Sequence, residues 1–273
     1  MSILEQAPGL LTALQGEMTP KFLATRSASG IPNVVPCVSI LPAEEQADTL
    51  FFGNFLLRKS IKNLQEERRL AIMVITPKLK GWILKGDFVE FQRTGTYVDK
   101  QMGSNLLRYN AYTGIRNAGV IRVNSIVGCF SISKIRVLLD YLRARLATLG
   151  SGVRDSAKTS QTSGTVAMPL PVQREFGRIV AVKVLAWIGQ DDYPFVIPAL
   201  SLQPAGKFSL VGWLSLKGIP KPPPGVQAAI NILTFEAISY QAKGLWQSSG
   251  RSGALLIQEI YAGGPPYPGG RVA

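Results

Sequence analysis

Arg58, Lys59 and Ser60 stand in consecutive positions just after an apolar run that ends at Gly53-Asn54. That order is suited to holding a phosphate. Thr49–Gly53 reads as a strand, and Arg58–Glu67 as a helix, because Leu57, Ile61 and Leu64 recur at four and three residues. A helix start offers unpaired backbone N–H groups and a partial positive charge. A guanidinium, an ammonium and a hydroxyl placed there complete an anion site. On a plain solvated helix the same residues would be ordinary surface, so the chemistry rests on their place after the strand end.

The remaining side-chain inventory is narrow. The chain has no histidine, which excludes Ser-His-Asp and Cys-His nucleophilic catalysis, helical histidine zinc sites and histidine-ligated haem. Its two cysteines, Cys37 and Cys129, are too few for a four-cysteine zinc or iron–sulfur centre, and they give no disulfide framework. No metal site is expected, and no side chain stands out as a catalytic acid or base. The chemistry is therefore expected to come from a borrowed cofactor.

At 273 residues the chain has room for two domains. Thirty Lys and Arg against 17 Asp and Glu give a net charge of +13, a field that attracts phosphates of any kind. The basic residues are scattered, and the densest group, Arg136 to Arg145, falls on one predicted helix. A nucleic-acid partner ranks behind a phosphorylated cofactor. Met1 to Gln15 carries Glu5 and lacks the pattern of a signal peptide, and no apolar stretch reaches about 20 residues. A cytoplasmic protein with no membrane partner is expected.

The elements that must position the phosphate residues follow from periodicity. Leu4, Leu10, Leu11 and Leu14 predict a short helix broken near Pro8 and ended by Gly16. Lys21–Ser27 and Asn33–Leu41 predict two strands about the turn Ala28-Ser29-Gly30. Leu70–Ile75, nearly all apolar, reads as a strand buried on both faces. Trp82–Phe91 predicts a strand with a bulge at Gly86, and Val120–Ile132 a last strand or pair. Between them Gly95–Asn117 is a glycine-containing basic stretch with no assigned element. Ile135, Leu138, Leu139, Leu142, Leu146 and Leu149 predict a helix stopped by Gly150. Residues 150–167 have the composition of a linker.

Beyond the linker the pattern restarts as a repeat. Phe22–Ile40 lies over Val184–Leu202 at a constant offset of 162, pairing Leu23 with Leu185, Pro32 with Pro194, Pro36 with Pro198 and Ser39 with Ser201. Gly53 meets Gly212, Lys85-Gly86 meets Lys243-Gly244, and Gly119 meets Gly253. The shifts fall in turns, as expected of a duplicated small β-barrel. The second copy has lost the phosphate residues. Opposite Arg58-Lys59-Ser60 it reads Lys217-Gly218-Ile219 and then Pro220 to Pro224, a run that cannot form a helix.

In this order GIPNVVPCVSI, LFFGNFLLRKSIKNLQEERRLAIMV and GWILKGDFVEF resemble the FMN-binding split barrel of the pyridoxamine 5'-phosphate oxidase-like family. The similarity covers about residues 20–135, and the second copy in its framework. It implies a mainly β fold of two tandem split β-barrels with flanking helices, forming a pseudo-dimer. Residues 1–149 are the FMN-binding barrel, 150–170 a linker and 171–273 a degenerate copy. By resemblance, Val35, Pro36, Cys37, Val38 and Ser39 run under the flavin ring, with Phe52, Gly53 and Asn54 beside it. Arg58, Lys59 and Ser60 hold the phosphate, and Trp82 and Lys85 lie on the strand that closes the site. Leu57 replaces a hydroxyl N-cap found in some relatives, and Gly81 an amide that oxidases turn towards the flavin. The substrate-binding C-terminal motif of true pyridoxamine phosphate oxidases is missing.

The implied function is an FMN-dependent oxidoreductase acting on a small-molecule substrate. A deazaflavin-dependent reductase and a non-catalytic flavin-binding module are the alternatives. The second copy is expected to cover the first copy's site as a tethered partner, with pairing of whole chains into a homodimer also open.

Overall fold

The computed structural model describes residues 2–55, 57–104, 114–149, 164–214, 216–264 and 269–273. It contains two seven-stranded antiparallel sheets. The first is built from β1 (Lys21–Arg26), β2 (Pro32–Pro36), β3 (Leu41–Pro42), β4 (Thr49–Gly53), β5 (Arg69–Ile75), β6 (Lys80–Gln92) and β7 (Ala118–Ser131). The second is built from β8 (Val182–Ile188), β9 (Pro194–Pro198), β10 (Gln203–Pro204), β11 (Ser209–Trp213), β12 (Gln227–Leu233), β13 (Ser239–Ser249) and β14 (Ser252–Ala262). The spatial order β2-β1-β5-β6-β7-β4-β3 in one sheet matches β9-β8-β12-β13-β14-β11-β10 in the other, strand for strand. The fold is mainly β: two tandem split barrels.

Register confirms the duplication residue by residue. Phe22 pairs with Pro36, and Val184 with Pro198, both displaced by 162. The β6–β7 ladder slips between Lys85 and Gly86, and the β13–β14 ladder slips between Lys243 and Gly244. Both glycines are required: a Cβ on Gly86 would lie 2.5 Å from the Arg122 carbonyl oxygen, and one on Gly244 only 1.8 Å from that of Leu256. The match of Gly119 with Gly253 holds, since each lies four residues before the partner of its slipped glycine, Val123 or Ile257. The match of Gly53 with Gly212 is one residue off. The Ser39 hydroxyl bonds the backbone of Gly53, whereas the Ser201 hydroxyl bonds that of Trp213, so Gly212 stands in the place of Phe52 and faces Gly253 as Phe52 faces Gly119.

Among the described residues five helices flank the sheets: α1 (Leu10–Gln15), α2 (Arg58–Glu66), α3 (Thr96–Met102), α4 (Lys134–Leu149) and α5 (Leu170–Phe176). A 3-10 turn at Leu4–Gln6 precedes Pro8 and α1, as the break there predicted. No helix lies among the described residues of 214–226, where the prolines stand. The strand expected over Asn33–Leu41 is shorter. Cys37 N–H donates to the Lys21 carbonyl and Ile40 N–H to that of Cys37, so the chain turns before β3. Helix α3 was not anticipated; Tyr97 stacks on Phe51 with ring centroids 4.7 Å apart. Of the predicted linker, residues 150–163 lie outside the described residues. Val166 and Met168 already bond to Ile257 and Lys207 of the second copy.

The all-apolar stretch Leu70–Ile75 is explained by two cores. Leu70, Ile72 and Val74 point into the first barrel with Leu23, Phe52, Trp82 and Ile121. Ala71, Met73 and Ile75 point the other way, into a core shared with Ala186, Val196, Ala229 and Ile230 of the second copy. Alternation at period two thus sends one face of β5 inward and the other onto the second barrel. The two barrels pack sheet on sheet as a pseudo-dimer, β2 against β8 and β12, and β5 against β9. Arg26 and Arg69 reach Asp192 at 3.1 and 3.4 Å, and Tyr193 donates to Asp87 at 2.9 Å. Such exposed pairs contribute about 0–1 kcal/mol each, so the apolar face holds the seam and the charges set its register.

Candidate functional site

Helix α2 begins immediately beyond β4. Its hydrogen-bond ladder opens with Ile61 N–H to the Leu57 carbonyl at 3.0 Å, and Leu57 supplies no side-chain cap. The preceding N–H groups therefore have no partner within the helix. Arg58 is exposed here and lines a cleft of about 280 Å³ with Asn54, Phe55, Leu57, Ile61 and Arg116. Arg116 is brought there by backbone pairing: its N–H donates to the Asn54 carbonyl at 3.2 Å, and Asn54 N–H donates to Asn117 at 2.9 Å. Two guanidinium groups thus share a cleft with an uncapped helix start.

Lys59 turns the other way, across the seam. Its ammonium lies 3.5 Å from the centroid of the Tyr261 ring on β14, a contact worth about 0.5–2 kcal/mol. Burial lowers its pKa, the carboxylate of Glu259 opposes that shift, and Arg271 adds to it. Lys243 of β13 is buried nearby, and burial together with the Lys59 charge lowers its pKa to about 7. Glu259 accepts from the Tyr261 hydroxyl at 2.8 Å, and burial and that bond raise the Tyr261 pKa to about 12. Lys59, Lys243 and Arg271 thus gather around the Glu259 carboxylate at this end of the seam, while Arg58 and Arg116 share the cleft on the first barrel.

Ser60 is buried, and its hydroxyl accepts from the Asn33 amide at 3.0 Å, which ties α2 to β2. What it presents outward is its backbone N–H. Ser39 is also buried; its hydroxyl meets both N–H and carbonyl of Gly53 at 3.2 Å and so fixes the turn after β2 against the end of β4. Gln101 of α3 clamps the same place, donating to the Ser39 carbonyl at 2.7 Å. Gly53 has no room for a side chain, since a Cβ would meet Phe55 at 2.9 Å and Gln101 at 3.0 Å.

The other predicted residues are distributed differently. Val35, Pro36 and Val38 are half-buried. Cys37, Phe52 and Trp82 are buried in the interior of the first barrel. The Cys37 thiol is pushed up to about 12 by burial, so it is a packing group rather than a nucleophile. Lys85 is paired with Asp191 and lies near the rings of Tyr193 and Phe195, within the seam. Of the second copy's aromatics, Trp187 packs on Phe195 and Trp246 is wholly buried. The structure thus brings Asn54, Arg58 and Arg116 together around one cleft, joins Lys59 to the second copy, and leaves Trp82 and Lys85 elsewhere.

Sequence reasoning missed Asn33, Gln101, Arg116, Glu259, Tyr261 and Arg271, and placed Lys243 only as the repeat partner of Lys85. Arg116 depends on a long-range backbone pairing that leaves no local pattern. The second-copy residues are visible only once the barrels are docked.

The donor set of Arg58, Arg116 and the uncapped α2 start suits a phosphate monoester. The phosphate end of FMN therefore fits these residues. Phe52 and Trp82 are closed to any ligand in this arrangement.

No protein-family model matches the chain, and no curated protein matches it. Among solved structures it is similar to an FMN-binding protein from Syntrophomonas wolfei subsp. wolfei, at 18% identity and a TM-score of 0.39, covering 48% of this chain and 88% of that one. It is similar to an F420 reductase, at 20% identity and a TM-score of 0.35, over 44% and 98%. HutZ, a heme storage protein from Vibrio cholerae, is similar at 16% identity and a TM-score of 0.35, over 48% and 95%. By the order and register of its own strands the chain is a tandem of two split barrels, and it resembles the FMN-binding split barrel of the pyridoxamine 5'-phosphate oxidase-like proteins.

Proposed function

We propose that this chain is an FMN-binding oxidoreductase that holds one flavin per chain, at the seam between its two barrels. The observation that supports this reading is the set of basic groups about the α2 start: Arg58 and Arg116 in the first-barrel cleft on one side, and Lys59 reaching the second copy near Lys243 on the other. Bound flavin supplies hydride or single-electron transfer, and the protein positions it and tunes its potential. Arg58, Arg116 and the first N–H groups of α2 hold the phosphate. Lys59 and Lys243 add charge from the second-copy side. Backbone groups of Val35 to Ser39 and of Gly53-Asn54 order the ring and its chain, with Val35, Pro36 and Val38 as the apolar edge. Phe52 and Trp82 support these strands from the barrel interior. The second barrel excludes water from the seam, which strengthens each charge–phosphate contact.

The absorbance spectrum of the purified chain, before and after loading with FMN, tests this directly. One equivalent of flavin per chain, reducible by NADH or NADPH and reoxidised by an acceptor, is the expected result. A bound deazaflavin would show its own absorbance and fluorescence instead. Bound flavin that neither donor reduces and no acceptor reoxidises would leave a binding module. A colourless protein that refuses added FMN would overturn the flavin reading.

A further inference from the structure

Helix α4 turns its polar side inward and its leucines out. Asp140 and Ala144 are buried against the second copy, where α4 packs on β11. Tyr141 anchors the same face: its hydroxyl donates to the Gly177 carbonyl at 2.7 Å, and its own carbonyl accepts from Gln203 at 2.8 Å. On the opposite face Ile135 and Leu146 are 72% and 67% exposed, and Leu138, Leu139 and Leu142 are each 47–48% exposed. At about 100° per residue these five form a stripe roughly 100° wide, as broad as the face a helix normally buries.

Cations line both edges of this stripe. Arg136 and Arg143 project on one side, and Lys134 and Arg145 on the other; all four are exposed. The helix has a single carboxylate, Asp140, and it is buried on the far face and bonded to Arg143 at 3.2 Å. A second copy docked stripe to stripe would bring basic edge against basic edge in either helix orientation, and the helix's one carboxylate, Asp140, is already bonded to Arg143. An anionic lipid surface meets the same pattern without that conflict: acyl chains take the leucines, and headgroups take the cations on both sides. The chain's net charge of +13 acts in the same direction. No described helix is long and apolar enough to cross a membrane, and lying on one requires no such span.

We propose that α4 is an interfacial helix that docks this protein on anionic bilayers through Ile135, Leu138, Leu139, Leu142 and Leu146. The test uses the full chain and sedimentation with vesicles of phosphatidylcholine alone or with added phosphatidylserine. Binding to the anionic vesicles is expected to be at least tenfold stronger than to neutral ones, and to weaken with salt. Two double variants, Leu139→Glu/Leu146→Glu and Lys134→Glu/Arg136→Glu, should each lose tenfold or more with an unchanged melting temperature. Equal binding to both vesicle types, or full binding by the leucine variant, overturns the proposal. So does a chain that ignores vesicles but forms a dimer in the ultracentrifuge that Leu139→Glu/Leu146→Glu dissociates, since that would assign the stripe to a second copy.

Discussion

Flavin binding should take up nearly one proton per phosphate at pH 8, through Lys243. Burial and the neighbouring Lys59 lower this ammonium from its ordinary 10.5 to about 7. At pH 8 about nine in ten of these amines are then neutral in the free protein. A phosphate dianion at the seam restores the advantage of the charged form. If the pKa returns to its ordinary value, about 0.9 proton is taken up at pH 8 and about 0.5 at pH 7. The complex holds more protons than its separate parts, so affinity falls as pH rises, about tenfold per unit between about 7 and 10. The phosphate, with a second pKa of about 6, stays a dianion across this window. Calorimetry of FMN binding at pH 8 in two buffers of different ionisation enthalpy reads the proton count from the difference in heat. Lys243→Met should leave only the smaller uptake due to Lys59 and flatten the affinity–pH line. Heats that are identical in both buffers for the unmodified chain would refute the placement of Lys243 at the phosphate.

Arg58→Ala and Arg116→Ala should each weaken FMN binding about tenfold to a hundredfold, the worth of one charge-assisted hydrogen bond; titration by fluorescence measures this, and both variants should melt with the parent. Lys183→Met should stabilise the fold by an amount on the order of a few kcal/mol at pH 7, because the Lys183 Nζ is buried without a partner and burial lowers its pKa to about 7. Between about 7 and 10.5 the unfolded chain carries a proton on Lys183 that the native chain lacks, so parent stability rises with pH across that window, and denaturant melts of the variant should show a shallower rise. Gly244→Ala should cost about 3 kcal/mol or more, because its Cβ would sit 1.8 Å from the Leu256 carbonyl oxygen and backbone must move; a lower melting temperature checks it. A thiol reagent should modify the exposed Cys129 rapidly and the buried Cys37 only on unfolding, and Cys129→Ser should abolish the fast phase.

The duplication was legible because the sequence carries the strand pattern twice. Pro36 and Pro198, or Gly86 and Gly244, recur at places where the ladder itself requires them, so the repeat could be read without knowing the fold. The apolar run Leu70–Ile75 announced burial on both faces, which only a second packed layer supplies. The α2 start was legible through Arg58 and Lys59 for the same local reason. Side-chain direction was present in the spacing but not drawn from it: Trp82 and Lys85 are three apart on one strand, and the period of two sends one inward and the other to the seam. Helix α3 was hidden because its binding to the sheet depends on Tyr97 and Gln101, whose partners Phe51 and Ser39 lie far away in sequence.

The two copies differ most where a second site would be. In the first, Lys21 Nζ donates to the carbonyls of Gly16 and Val38, at 2.9 and 3.0 Å. Its counterpart Lys183 makes no such bonds and lies 5.6 Å from the centroid of the ring of Tyr141, whose hydroxyl donates to the Gly177 carbonyl. The same helix, α4, sets Arg136, Val137 and Asp140 along the cleft beside Leu216 and Lys217, just beyond Leu214, the second copy's counterpart of Asn54. Proline replaces the helix that would have offered N–H groups there, and α4 fills part of the space it leaves. On the proposed reading, one chain keeps a single phosphate-binding end, in the first barrel, with the second barrel as its wall. That asymmetry is what makes one flavin per chain the stoichiometry to expect, rather than the two of a symmetric pair. It also explains the exposed leucines of α4, since a helix drawn onto the second barrel by its Tyr141 and Asp140 face has no inner surface left for the other side.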